Sequence, residues 1–201
     1  MEFTKLTENL TALGYIVREF DHGSEAADYL KNELAGKSVG IGGSVTAQQL
    51  KLHEVLSPVC RVIWHMAPAE GMTPAECRAA ASRADVYITS VNGVAETGEL
   101  INIDNTGNRV GSSLFGHETV YFIIGENKIA PDYDAALWRA RNVASPLNAQ
   151  RLGRKTPCAV KADRCYNCKS PDRICRALTV FWEKPVGCNY EVLLIHENLG
   201  Y

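Results

Sequence analysis

The residues of this chain best suited to chemistry fall into four clusters. The first is Gly40-Ile41-Gly42-Gly43-Ser44-Val45-Thr46, set between an apolar run and a helical pattern. At a strand-to-helix turn, backbone N–H groups and the helix N-terminus attract anions, and Ser44 and Thr46 would add hydroxyl donors for a phosphate or carboxylate. The spacing matches neither the Walker loop nor GxGxxG. The same residues also suit a plain tight turn whose glycines take positive φ and whose Thr46 caps the helix.

The second cluster, Asn92-Gly93-Val94-Ala95-Glu96-Thr97-Gly98, holds one carboxylate. A partly buried Glu96 would have a raised pKa and serve in proton transfer, or it would bind a backbone amide and shape the loop. The third, Asp104-Asn105-Thr106-Gly107-Asn108-Arg109, is dense in donors and acceptors. Asn-Thr-Gly suits a turn by itself, while the Arg109 guanidinium could hold a carboxylate or phosphate through two parallel bonds. Lys128 is a second cation candidate, and His117 is either an acid, base or ligand or a hydrogen-bonded structural residue.

The fourth cluster is Cys158-x6-Cys165-x2-Cys168-x6-Cys175, four of the seven cysteines. Four thiolates within eighteen residues could complete a zinc site or an iron–sulfur cluster, although the spacing fits neither a ferredoxin run nor a zinc ribbon. Unpaired thiols or a Cys165–Cys168 switch disulfide are the other readings. Ser170-Pro171-Asp172-Arg173 reads as a helix start that would place Cys175 in its first turns. Cys60, Cys77 and Cys188 read as small buried hydrophobes.

The elements that must position these clusters alternate. Two helical pieces fill the first thirty-five residues, with Ser24 capping the second, around a short apolar run at Tyr15-Ile16-Val17. Residues 38–41 read as a strand entering the glycine turn, 46–56 as an amphipathic helix, and 61–64 and 85–90 as strands. Thr73-Pro74-Ala75-Glu76 opens a helix between those two strands. Strands 99–103 and 119–125 lie too close for a helical crossover, so antiparallel pairing is expected. A helix follows Asp132, and 191–197 closes the chain as a strand. The alternation implies βαβ units, an α/β fold with a mostly parallel sheet, and one domain over 1–201 with a Cys-rich appendage at 153–176.

Composition narrows the function. With 21 Lys+Arg against 23 Asp+Glu the net charge is −2, without the basic excess that a nucleic-acid backbone demands. No stretch approaches the ~20 apolar residues of a membrane span, and the acidic N-terminal region lacks the pattern of a signal peptide, so a cytoplasmic protein is expected.

The stretch 84–152, with TPC at 156–158, CYNC at 165–168 and SPDRIC at 170–175, resembles the LUD-domain family, the LutC-like lactate utilisation proteins. The resemblance runs from Gly42 to residues 197–201. It implies a Rossmann-like three-layer α/β/α fold of the NagB/RpiA/CoA-transferase type, with ligand sites at the carboxyl edge of the sheet. It further implies work beside iron–sulfur oxidoreductase subunits that convert L-lactate to pyruvate, and binding of a small anionic metabolite. The residues that match the shared pattern are Gly42, Gly43, Ser44 and Thr46, then Glu96, Thr97 and Gly98, then Asn105, Gly107, Asn108, Arg109 and Lys128. Glu96 is the acid/base candidate among them, and the TPC, CYNC and SPDRIC segment resembles a subgroup feature. A self-paired edge strand, or a metal shared between chains, would make a homodimer.

Overall fold

A computed structural model describes residues 2–201. α1 (Thr4–Ala12) leads into β1 (Ile16–Phe20), α2 (Gly23–Glu33) and β2 (Ser38–Ile41). Two short helices, α3 (Val45–Gln49) and α4 (Leu52–Leu56), precede β3 (Arg61–Trp64), α5 (Pro74–Ala81) and β4 (Val86–Thr89). Then come β5 (Gly93–Ala95), β6 (Leu100–Asp104), α6 (Asn108–Leu114), β7 (Thr119–Gly125), a 3-10 turn at Glu126–Lys128 and β8 (Ile129–Ala130). α7 (Tyr133–Arg139) continues through a π turn at Ala140–Ala144 into α8 (Ser145–Arg151), before α9 (Pro157–Lys161), β9 (Ala177–Phe181) and β10 (Asn189–Ile195).

Six strands form one sheet in the order β1-β10-β7-β4-β2-β3, and every neighbouring pair is parallel. Parallel strands require cover on both faces, and the side-chain alternation supplies it. On β7, Val120, Phe122 and Ile124 point into a core shared with Leu6 and Leu10 of α1 and Cys77 and Ala81 of α5. Tyr121 and Ile123 point the other way, into a core with Leu30, Leu52 and Leu56 of α2 and α4. This is the expected α/β/α layering. Four strands form a second sheet, β8-β5-β6-β9, in which β6 runs antiparallel to both neighbours. Among the described residues no helix is long and apolar enough to cross a membrane.

Local sequence explains several element boundaries. Thr73 accepts from the Glu76 N–H at 3.2 Å while the Glu76 carboxylate accepts from the Thr73 N–H at 2.9 Å, so α5 starts on a reciprocal cap. Asp132 caps α7 through the Ala135 N–H at 2.8 Å. Pro146 has no N–H to give to the preceding turn, and the helix widens just before it, with the Ser145 hydroxyl donating to the Ala140 carbonyl at 2.8 Å.

Four sequence expectations are corrected. Ser24 does not cap α2; the Glu25 carboxylate takes the Asp21 and His22 N–H groups, each at 3.1 Å. The helix over 46–56 is two pieces, because Lys51 adopts the left-handed conformation (φ 50°) between α3 and α4. Strands 99–103 and 119–125 do not pair. They belong to different sheets, so the seven-residue α6 suffices to join them. No helix starts at Ser170. The Arg173 guanidinium donates to the carbonyls of Cys168 at 3.0 Å and Cys175 at 2.8 Å, and the Asp172 carboxylate accepts from the Lys155 N–H instead of capping. Those bonds hold 168–176 as a loop.

Candidate functional site

A cleft of about 350 Å³ opens where β2, β4 and β7 end, walled by the β6–α6 turn, α8 and the segment 200–201. In parallel α/β sheets this carboxyl edge is where ligands bind. Gly43 and Ser44 reach it from β2, Ser90 and Asn92 from β4, and Lys128 from β7.

Lys128 lies at the floor and is 3% exposed. Its Nζ donates to Thr46 Oγ1 at 2.9 Å and Ser90 Oγ at 2.8 Å. Ser90 passes its own proton to the Ile123 carbonyl at 2.6 Å. Burial drives the Lys128 amine well below the ordinary lysine range, with the nearby Arg139 and Arg109 adding to the effect. Arg139 lies behind it, donating to the carbonyls of Asn127 at 2.8 Å and Asn92 at 2.7 Å, and burial lowers its pKa to about 10.

Arg109 occupies the wall. Its guanidinium donates to the Ser90 carbonyl at 3.0 Å, Asn92 Oδ1 at 3.0 Å, the Ile103 carbonyl at 2.7 Å and Asn102 Oδ1. Both terminal nitrogens are thereby committed, and Arg109 works as a clamp across β4, β6 and their following turns. Burial lowers its pKa and the Asp104 carboxylate opposes that shift. Asp104 accepts the N–H groups of Asn105 at 2.7 Å and of Arg109 and Val110 at 3.0 Å, which fixes the start of α6. Gly42 packs closely beneath this clamp: a Cβ there would come within 3.1 Å of Arg109 Cγ and 3.0 Å of Tyr87 Oη, so both would have to give way slightly.

The rim adds Arg78, Arg151 and Arg154, with His65 beside Gly43. Burial and then Arg78 lower the His65 pKa, against a smaller opposing pull from Asp104. Lysine and arginine contribute five lining side chains, Arg78, Arg109, Lys128, Arg151 and Arg154, against one acidic side chain, Asp104. Such an imbalance in a partly enclosed cleft concentrates positive potential and selects anions.

The sequence candidates therefore divide. Gly43, Ser44, Asn105, Asn108, Arg109 and Lys128 line the cleft, Thr46 supports its floor, and Gly107 starts α6 with φ 87° outside the lining. Glu96, Thr97 and Gly98 lie elsewhere. Glu96 pairs with Lys5 at 2.8 Å, Thr97 bonds Glu99, and Gly98 sits against Leu13. His117 is buried, its ring nitrogen 2.7 Å from the Ala84 carbonyl and its plane stacked on Tyr87.

Among the described residues no three His, Cys, Asp or Glu side chains come together as a metal site, so Cys158, Cys165, Cys168 and Cys175 do not form a four-thiolate donor set as arranged. Cys165 and Cys175 share the wall of a smaller cavity of about 190 Å³ with Arg141, Arg173 and Arg176. Cys158 contacts Thr156 Oγ1 at 3.2 Å. Of the three cysteines expected as packing, Cys77 is buried and Cys60 and Cys188 are half-buried.

Sequence reasoning passed over Ser90, His65, Arg78, Arg139, Arg151 and Arg154. Ser90 ends an apolar strand at the carboxyl edge, the position at which a hydroxyl is informative. Arg151 and Arg154 carried no distinguishing signal, because basic residues are ordinary at a helix C-terminus.

A family model described as the LUD domain matches residues 3–188. The chain belongs to the LUD-domain family. Its fold is similar to that of the crystal structure of a DUF162 family protein from Deinococcus radiodurans, with a TM-score of 0.55 at 13% identity, covering 97% of this chain and 99% of that one. A structure of eIF2B beta from Chaetomium thermophilum matches with a TM-score of 0.33 at 14% identity, over 66% of this LUD-domain chain and 44% of the other. No curated protein matches.

Proposed function

We propose that this LUD-domain protein binds a small carboxylate or phosphorylated metabolite in the carboxyl-edge cleft, as a cytoplasmic accessory subunit of an iron–sulfur organic-acid oxidation system. The observation that carries the binding reading is the charge pattern of the cleft. Five basic side chains face one acidic side chain, which is itself occupied by three backbone N–H groups. The buried Lys128 is bonded only to hydroxyls. A bound anion would offset the positive charge of the arginines that line the cleft, with the Lys128 amine beneath it. Membership of the LUD-domain family supports the organic-acid setting and the iron–sulfur partner subunits.

A ligand that binds the native state raises stability by mass action, by about 2.7 kcal/mol at one hundred times its Kd. Titration of lactate, pyruvate, inorganic phosphate and acetyl-CoA should raise the melting temperature for at least one. No shift with any of them would refute the cleft reading. A proton-transfer role for Glu96 has less support, since that carboxylate faces Lys5 and not the cleft.

A further inference from the structure

The hydrogen-bond inventory around Lys128 matches what a neutral amine can donate. An ammonium group carries three N–H donors, and a neutral amine carries two with one lone pair. Lys128 Nζ meets two acceptors, Thr46 Oγ1 and Ser90 Oγ. Both oxygens are free to accept, because the Ser90 proton goes to the Ile123 carbonyl and the Thr46 proton is directed at the Leu199 carbonyl at 3.3 Å. The protein thus satisfies the two N–H bonds of an amine, and the remaining position on nitrogen is the one left for the cleft that Lys128 lines. Among the described residues no carboxylate pairs with Lys128.

The amine is also placed to react. Lys128 lines the cleft, and the backbone of Gly200 passes over it. A Cβ at Gly200 would lie 3.0 Å from Nζ and 2.6 Å from Thr46 Oγ1, so only glycine lets the backbone pass this close to the amine. The depressed lysine pKa, set first by burial, agrees with the inventory.

We propose that Lys128 is a nucleophilic amine that condenses with the carbonyl carbon of an aldehyde or ketone whose carboxylate or phosphate group is held in the same cleft. The proposal rests on the cleft's taking a small anion. In the first step the Nζ lone pair bonds to the carbonyl carbon and the π pair moves to oxygen. The proton shed by nitrogen reaches that oxygen through the hydroxyl of Ser90 or Thr46. The carbinolamine then takes up one proton and loses its hydroxyl as water, while the carbon–nitrogen double bond forms as an iminium ion. Amine, carbonyl compound and one proton thus give iminium and water, with no oxidant or reductant.

The test is reductive trapping. The full chain is incubated at pH 7 with cyanoborohydride and either pyruvate, for a carboxylate, or dihydroxyacetone phosphate, for a phosphate. Peptide mass spectrometry then maps the adduct, whose mass is that of the carbonyl compound less water plus two hydrogens. One of the two should modify Lys128 at least about tenfold more than any exposed lysine, since the cleft would hold the compound's anionic group beside the amine and raise its effective concentration there. The wild-type map is read directly, so the result does not depend on a variant folding, and Lys128→Met should remove the signal. Modification confined to exposed lysines such as Lys51 and Lys161 would overturn the proposal. So would a rise in melting temperature with either compound but no adduct, which leaves anion binding intact. Neither adduct nor thermal shift with these compounds or with inorganic phosphate would overturn both readings.

Discussion

Replacing Lys128 with Met should make the protein more stable and unable to respond to its ligand. Met has nearly the length and volume of the lysine stem, so the substitution leaves little cavity. It removes two hydrogen bonds, those to Thr46 and Ser90, each worth about 0.5–1.5 kcal/mol net. Both hydroxyls keep acceptors of their own, the Leu199 and Ile123 carbonyls, so neither is left an orphaned donor. Against that loss stands the cost of holding an ionisable amine away from water without a carboxylate. Exchanging buried charged groups for apolar ones of similar shape is commonly neutral or stabilising by about 1–4 kcal/mol. Taken at their midpoints the two leave a gain of about 0.5 kcal/mol, or roughly 1–2 °C in Tm at 2–4 °C per kcal/mol for a domain of this size. The pH dependence gives a second check. The folded-state pKa is lowered from 10.5, so between the folded and unfolded values the unfolded chain binds the extra proton and wild-type stability rises with pH. The penalty is full below both values and vanishes above the unfolded one, so the advantage of Lys128→Met should shrink as pH is raised toward 10. Urea denaturation of both proteins between pH 6 and 10 measures it. A variant destabilised by more than about 1 kcal/mol at pH 7, with a deficit unchanged at high pH, would refute the reasoning and show Lys128 to be a stabilising cation.

Three further outcomes are expected. Arg109→Lys should destabilise by about 3 kcal/mol or more, because a point-like ammonium cannot reach four acceptors and each one left buried and unpaired costs about 1–3 kcal/mol; a urea midpoint close to wild type would contradict the clamp. Glu96→Gln should leave both the ligand-induced thermal shift and, within about 1 kcal/mol, the stability unchanged, since the Lys5–Glu96 pair is 64% and 34% exposed; loss of the ligand response would return Glu96 to the site. Thr73→Ala should cost about 1 kcal/mol by removing the α5 cap without altering ligand response, which thermal melts with and without ligand would show.

Much of the architecture was legible because the governing signals are local. The apolar strands 85–90, 119–125 and 191–197 bury residues on both faces, and a continuous apolar run is what a central parallel strand must show. The caps at Thr73 and Asp132 act within three residues. The errors arose where distant groups decide. Nothing near Ser170 announces that Arg173 will bind the carbonyls of Cys168 and Cys175 and hold the segment out of helix. The separation of β6 from β7 into two sheets depends on the pairing of β6 with β9, whose paired residues lie 73 to 81 positions apart in sequence. The cleft followed the same rule: Ser44 and Lys128 were legible from the carboxyl edge, whereas Arg78, Arg151 and Arg154 converge on it only through packing.

The glycine turn and the arginine after it were separate anion-binding candidates in the sequence, and the structure joins them differently. At Gly42, Arg109 Cγ and Tyr87 Oη pack closely against the space a side chain would take. Arg109 in turn spends its terminal N–H groups on Ser90, Asn92, Asn102 and Ile103. The guanidinium would therefore act on a bound anion through its field, while its hydrogen bonds hold the carbonyl of Ser90 and so fix the residue whose hydroxyl meets Lys128. Substitution at Gly42 should accordingly reach the ligand through Arg109 and Ser90. An alanine there must shift the clamp slightly, and its effect on the thermal shift should not add to that of Arg109→Lys, since sites that share partners couple. Additive effects in that pair would mean that the turn and the arginine serve the cleft independently.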